Sequence, residues 1–185
     1  MTAPLELVVG LLDAHDIPHM VAGSFASTFH GEPRTTHDID LVIDPNRAAL
    51  DAFVASLDPA AFYVSAEAAD EAWRRRGQFN VVLLDSGWKV DLILRKDRPF
   101  SHSEFNRREE VGLGDVVLYI ATAEDTILAK LEWGKAGESE RQLRDVRGIL
   151  EVQGAELDTA YIDRWAGELD VAELWASVRA EVELH

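Results

Sequence analysis

Residues 37–43, His-Asp-Ile-Asp-Leu-Val-Ile, alternate charged and apolar side chains and then turn wholly apolar. Residues 89–94, Lys-Val-Asp-Leu-Ile-Leu, repeat the pattern. Successive side chains of a strand point to opposite faces. As strands, the two segments send Ile39, Leu41 and Ile43, and Val90 and Leu92, into a core. Asp38 and Asp40, and Lys89 and Asp91, then face the other way. Like charges two residues apart repel, and each raises the other's pKa unless a cation stands near. A divalent metal removes that penalty. If the two strands are neighbours, three carboxylates meet on one face. Hard oxygen donors on rigid strands are what Mg²⁺ takes in phosphoryl-transfer sites.

The rest of the chain supplies the remaining layers. Apolar periodicity at Leu5, Val8, Val9, Leu11 and Leu12 predicts a helix over 5–14, ended by Asp16-Ile17-Pro18. A short strand over 19–22 runs into Gly23-Ser24, and 25–30 read as helical turns closed by Gly31. Asp44-Pro45-Asn46 opens a helix reaching about residue 57. A strand over 61–65 and a helix over 66–75 follow. Residues 79–84 and 89–94 flank Asp85-Ser86-Gly87 as a hairpin, and 109–113 and 116–121 flank Gly114-Asp115 as a second. From Thr122 the pattern is helical, over 123–136, 139–152, 158–168 and 170–183. The expectation is an α/β (α+β) chain: a mixed sheet flanked by helices over 1–121, with a helical part over 122–185 packed on it.

Composition narrows the function. The 185 residues include no cysteine, which removes disulfide scaffolds, thiolate zinc sites, iron–sulfur clusters and cysteine nucleophiles. A hydrophobic fraction of 47% is too high for a disordered chain. The absence of a membrane-length apolar run and of a secretory signal gives the expectation of a cytoplasmic protein with no membrane partner. The net charge of −16 opposes non-specific nucleic-acid binding, since acidic groups near phosphates work against counterion release.

Gly23-Ser24 stands where a strand turns into a helix, so backbone without a Cβ and the first N–H groups of the helix can approach a phosphate. That turn, the Asp-x-Asp strand and the third Asp on a later strand form a specific conjunction. Gly23-Ser24-Phe25-Ala26, Gly31, Arg34, Thr36 and Asp38-Ile39-Asp40-Leu41 resemble the first motif of the nucleotidyltransferase superfamily, in the form carried by AbiEii-like proteins of the abortive-infection toxin type. Lys89-Val90-Asp91 is similar to the second motif. Residues 123–131, ending in Lys130-Leu131, resemble the third. Gln142-Leu143-Arg144-Asp145-Val146, with Leu157-Asp158, Tyr161 and Trp165, resembles the helical region that supplies a fourth-motif Asp.

The resemblance implies a nucleotidyltransferase fold and an Mg²⁺-dependent enzyme that moves a nucleotide from an NTP to a hydroxyl acceptor. Gly23 and Ser24, with Arg34 and Thr36, would bind the nucleotide. Asp38, Asp40 and Asp91 would hold two Mg²⁺ ions, Asp91 also helping to deprotonate the acceptor. Lys89 and Lys130 would neutralise charge on triphosphate or acceptor, and Asp145 would orient Lys130 or the nucleotide. Toxin relatives imply tRNA as the acceptor, with a protein or small molecule as alternatives, and a cognate antitoxin as a partner. The competing reading is a catalytically silent module on the same fold, acting through a protein partner.

Other features carry less. His37-Asp38 lies in a β-patterned run, unlike the helical setting of HD-type phosphohydrolases. Ser24 lacks the nucleophile elbow of acyl-transfer enzymes. Arg74-Arg75-Arg76 and Arg95, Lys96 and Arg98 are a solvated face or a local positive rim for an anionic acceptor. The five tryptophans read as packing residues.

Overall fold

A computed structural model of the chain describes residues 3–33, 38–113, 116–137 and 139–183. Arg34, Thr36, His37 and the Gly114-Asp115 joint lie outside the described residues. In chain order the elements are α1 (Ala3–Asp13), β1 (His19–Val21), α2 (Gly23–His30), β2 (Asp38–Ile43), α3 (Arg47–Ser56), β3 (Phe62–Val64) and α4 (Ala66–Arg75). There follow β4 (Gln78–Leu83), β5 (Lys89–Leu94), α5 (Pro99–Arg107), β6 (Glu109–Leu113) and β7 (Val116–Ile120). The last are α6 (Ala123–Gly137), α7 (Glu140–Gln153), a short 3-10 turn (Gly154–Glu156), α8 (Thr159–Glu168) and α9 (Ala172–Glu183). No helix among the described residues is long and apolar enough to cross a membrane.

The chain divides into two compact units, Met1–Ala22 with Thr36–Ile120 and Gly23–Thr35 with Ala121–His185. The first is the sheet unit. Its seven strands form one mixed sheet in the order β3-β4-β5-β2-β1-β7-β6. The pairs β2/β5 and β1/β7 are parallel and the others antiparallel. Period-2 alternation sets the faces. Ile39, Leu41 and Ile43 of β2 and Val90, Leu92 and Leu94 of β5 are wholly buried. Each such side chain contributes about 1.5–3 kcal/mol of burial energy, which holds these strands in register. Apolar residues of β4 (Phe79, Val81, Leu83) and α1 (Leu5, Val8, Val9, Leu12) extend the core.

Local signals start and stop the helices of this unit. The Asn46 side chain accepts from Ala49 N at the start of α3, and Ser65 caps α4 by accepting from Ala68 N. α4 ends on Arg76, in the left-handed region at φ 51°. α5 is an element that sequence periodicity misses. Its buried side is Phe100, Ser101, Glu104 and Phe105, half polar, so no apolar stripe marks it, although Pro99 at its start is a favourable first helical residue.

The helical unit contains α2 and α6–α9. Ile127, Leu128 and Leu131 of α6, Val146 and Ile149 of α7, Ile162, Trp165 and Ala166 of α8, and Trp175 and Val178 of α9 form its core. Gly31, just after α2, is a close-approach position. A Cβ there would lie 2.8 Å from Ile149 N and 2.9 Å from Gly148 C, both backbone atoms of α7. Of the five tryptophans, Trp165 and Trp175 are buried, whereas Trp133 is 60% exposed and does not pack as expected.

Candidate active site

The parallel register of β2 and β5 pairs Asp38 with Lys89 and Asp40 with Asp91. All four point to the face opposite the buried Ile39, Leu41, Val90 and Leu92, because side chains alternate along each strand. Lys89 Nζ lies 2.9 Å from Asp91 Oδ2 and 3.9 Å from Asp38 Oδ1. The hydrogen bond from Lys89 to Asp91 holds the ammonium pKa above its usual value. Partial burial opposes this, and the charges of Asp91, Asp38 and Asp40 reinforce it. Asp91 is buried, and its Oδ1 has no hydrogen-bond partner among the described residues. β4 adds Asn80, the antiparallel partner of Asp91, which no sequence motif marks.

A cation fits this place in its donor chemistry. The set is carboxylate oxygen on rigid strands, and Asp91 Oδ1 is a buried oxygen that no donor among the described residues satisfies. In the arrangement as it stands, no three His, Asp or Glu side chains among the described residues converge to hold a metal ion. The positive charge among the carboxylates is the Lys89 ammonium.

The helical unit holds a second group. α2 starts at Gly23, whose φ of 58° is left-handed and favours glycine, and Ser24 follows in its first turn. Helix N–H groups of a first turn have no acceptor within the helix and suit an anion. Lys130 of α6 donates to Asp145 Oδ2 of α7 at 2.7 Å, with side chains only 6% and 5% exposed. A buried ion pair gains little net stability, since desolvation offsets attraction. Ser27 Oγ lies 3.3 Å from the same Asp145 oxygen and 3.1 Å from Ser24 O.

Asp125 is a further residue to which sequence reading gives no role. It is wholly buried and accepts from Thr122 Oγ1 at 2.8 Å and from the Tyr161 hydroxyl at 2.6 Å. Thr122 Oγ1 in turn accepts from Asp125 N, capping α6. His30, at the end of α2, places Nε2 2.7 Å from Ala121 O, a structural contact. Four arginines of the basic runs are met by acids: Arg74 by Asp70, Arg75 by Glu71, and Arg76 and Arg95 by Asp44. Gly23, Ser24, Lys130 and Asp145 thus lie in the helical unit, and Asp38, Asp40, Lys89 and Asp91 in the sheet unit. Arg34 and Thr36 lie outside the described residues.

No protein-family model matches this sequence, and no curated protein does. Solved structures do match. The chain is similar to the antibiotic-resistance factor ANT(2'')-Ia, with a TM-score of 0.58 and 15% identity over 96% of this chain and 94% of that one. It is similar to the lincosamide antibiotic adenylyltransferase LnuA, with a TM-score of 0.56 and 10% identity over 82% and 98%. A third is an antigenic nucleotidyltransferase-like protein from Paracoccidioides brasiliensis, with a TM-score of 0.55 and 16% identity over 92% and 90%. These likenesses define the fold. The chain has the mixed α/β nucleotidyltransferase fold, a mixed seven-stranded sheet flanked by helices.

Proposed function

We propose that the protein is a nucleotidyltransferase that moves a nucleotide from an NTP to a hydroxyl acceptor in the presence of Mg²⁺. The observation that carries this reading is the parallel register that sets Asp40 beside Asp91, with Lys89 against Asp91, on a nucleotidyltransferase fold. Asp38, Asp40 and Asp91 would hold the metal, and Asp91 Oδ1 has no hydrogen-bond partner among the described residues. Magnesium bound there would supply Lewis acidity toward phosphate oxygens.

The protein's own groups do the rest. Gly23 and Ser24 receive phosphate oxygens at the start of α2. Lys130 offers an ammonium that Asp145 holds in one orientation. Lys89, hydrogen-bonded to Asp91, neutralises charge on the triphosphate or the acceptor. Asp91 accepts the acceptor's hydroxyl proton. Such chemistry asks for positioning and charge stabilisation, with little covalent participation by the protein. The similar solved structures include proteins described as antibiotic adenylyltransferase and resistance factor. They support a small-molecule acceptor, beside tRNA or a protein as the sequence resemblance implies. An AbiEii-like toxin role, with a cognate antitoxin, belongs to the tRNA alternative.

The test is incubation of the chain with each labelled NTP and Mg²⁺ against total RNA, a protein extract and a small-molecule extract. Label should pass to one of these fractions. Undiminished transfer by the Asp38→Asn/Asp40→Asn variant would sink the assignment. A second reading, a silent module acting through a protein partner, draws on the Lys89 ammonium standing where no three acidic groups converge among the described residues. Calorimetry separates the two. Mg²⁺-dependent NTP binding supports the enzyme, and binding only to a protein partner supports the module.

A further inference from the structure

The register of the sheet carries the polar face of the carboxylates two strands further. Opposite the buried Phe79, Val81 and Leu83, β4 presents Gln78, Asn80 and Val82. Asn80 is the cross-strand partner of Asp91, and Val82 that of Lys89. β3 sets Tyr63 beside Val82, so Asp38, Lys89, Val82 and Tyr63 form one row across four strands. Asp40, Asp91 and Asn80 form the next row. Antiparallel partners have Cβ atoms about 4.5–5.5 Å apart on one face, which brings the Asn80 amide beside the Asp91 carboxylate. Gln78 and Asn80 are exposed, and Tyr63 is 62% exposed.

We infer that this strip of β4 and β3 is the acceptor subsite, and that it takes a small polyhydroxylated molecule, uncharged or cationic. Asn80 binds a hydroxyl next to the reacting one, and the Tyr63 ring receives a ring of the acceptor on its face. The inference rests on the nucleotidyltransferase reading above. In that reading the acceptor oxygen bonds to the α-phosphorus as the bond to pyrophosphate breaks, and its proton passes to Asp91. The acceptor therefore has to lie against β5. One flank of β5 on this face is β2, taken by Asp38 and Asp40. The other is β4, where Asn80 is the first side chain met. An amide offers both donors and an acceptor, which matches the two roles of a hydroxyl. Tyrosine adds a flat apolar surface with a polar tip, suited to the C–H face of a sugar-like ring. From β5 to β3 is two strand spacings, about 10 Å, room for one or two such rings. Charge argues against a nucleic acid here. Gln78, Asn80, Val82 and Tyr63 carry no formal charge, and Lys89 is engaged by Asp91 and Asp38. A phosphodiester chain draws its affinity from cations that release its counterions, and this face meets it with carboxylates.

The experiment gives the full chain, with Mg²⁺ and each labelled NTP in turn, total RNA, a protein extract or a small-molecule extract. The variants are Asn80→Ala, Tyr63→Ala and Tyr63→Phe, each checked for an intact thermal transition. Label should enter the small-molecule extract. With that extract as the varied substrate, Asn80→Ala should raise the acceptor KM roughly tenfold, the scale of losing one hydrogen bond. Tyr63→Ala should raise it about two- to tenfold, and Tyr63→Phe, which keeps the ring, should restore it. The KM for the NTP should not change in any of the three. Label confined to RNA or protein would overturn the inference, as would an unchanged acceptor KM in either alanine variant or an equal rise in the KM for the NTP. In each of these cases the nucleotidyltransferase reading stands. Transfer to no fraction by the unaltered chain overturns that reading and this inference together.

Discussion

Asp40 of β2 and Asp91 of β5 are register partners in a parallel strand pair, and Lys89, two residues from Asp91 on the same face, donates to Asp91 at 2.9 Å. One cation thus serves neighbouring carboxylates. If these carboxylates also hold Mg²⁺, the metal must stabilise the folded chain, because ligands that bind only the native state raise its stability. Mg²⁺ at a hundredfold excess over its Kd should add about 2.7 kcal/mol, seen as a rise in melting temperature. Asp40→Asn and Asp91→Asn should lose that rise. An equal rise in the variants would place the metal elsewhere.

Lys89 also sets a pH dependence. Its folded pKa lies above the unfolded value, chiefly through the hydrogen bond to Asp91. The pair therefore contributes its full stability below the ordinary lysine pKa, and this is lost as pH rises through the raised folded value. Because Lys89 is partly exposed, the contribution is small, under about 1 kcal/mol. Urea denaturation across the alkaline range should show a steeper loss in the unaltered chain than in Lys89→Gln. Parallel curves would refute the assignment.

The buried Lys130–Asp145 pair gives an asymmetric prediction. Asp145→Asn leaves the ammonium without its carboxylate and should cost about 3–5 kcal/mol. Replacing both partners, as Lys130→Met/Asp145→Leu, should recover most of that loss, since two apolar groups need no compensation. Chemical denaturation of the three chains checks the ordering.

Two glycines should fail for different reasons. Gly31→Ala meets backbone atoms at 2.8–3.0 Å that cannot rotate away, so a loss of about 1–3 kcal/mol or more is expected. Gly23→Ala meets a left-handed backbone at φ 58°, a strain of about 1–2 kcal/mol. Thermal unfolding should show both, and an unchanged Gly31→Ala would contradict the close packing of α2 on α7.

Tyr161→Phe should expose the dependence of Asp125 on its donors. The change removes a 2.6 Å hydrogen bond to a wholly buried carboxylate, at about 1–3 kcal/mol. Chemical denaturation of the two chains measures the loss. Equal stability of Tyr161→Phe and the unaltered chain would argue against the bond.

Much of the fold was legible because it rests on local rules. Residues 66–75 carry a Ser cap and a basic last turn, and α4 spans those residues. The hairpin of β4 and β5 follows from its turn residues, and the four C-terminal helices from their joints. α5 was not legible, because its buried face includes Ser101 and Glu104. Of the candidate site, the sequence marks residues as motifs but not their hydrogen-bond partners. Nothing near Ser27 announces Asp145, and nothing near Asp125 announces Tyr161, because hydrogen bonds between distant segments leave no periodic trace.

The sequence by itself determined which face each charged residue occupies: the two-residue period of 37–43 and 89–94 separates Asp38, Asp40, Lys89 and Asp91 from the core-forming Ile39, Leu41, Val90 and Leu92. Only the tertiary structure decided that β5 lies parallel to β2, and in a register that makes Asp40 face Asp91. Strand pairing is made by backbone hydrogen bonds, which are the same for every residue. The choice of neighbour and register comes from packing all the buried faces at once, and a single strand cannot encode it.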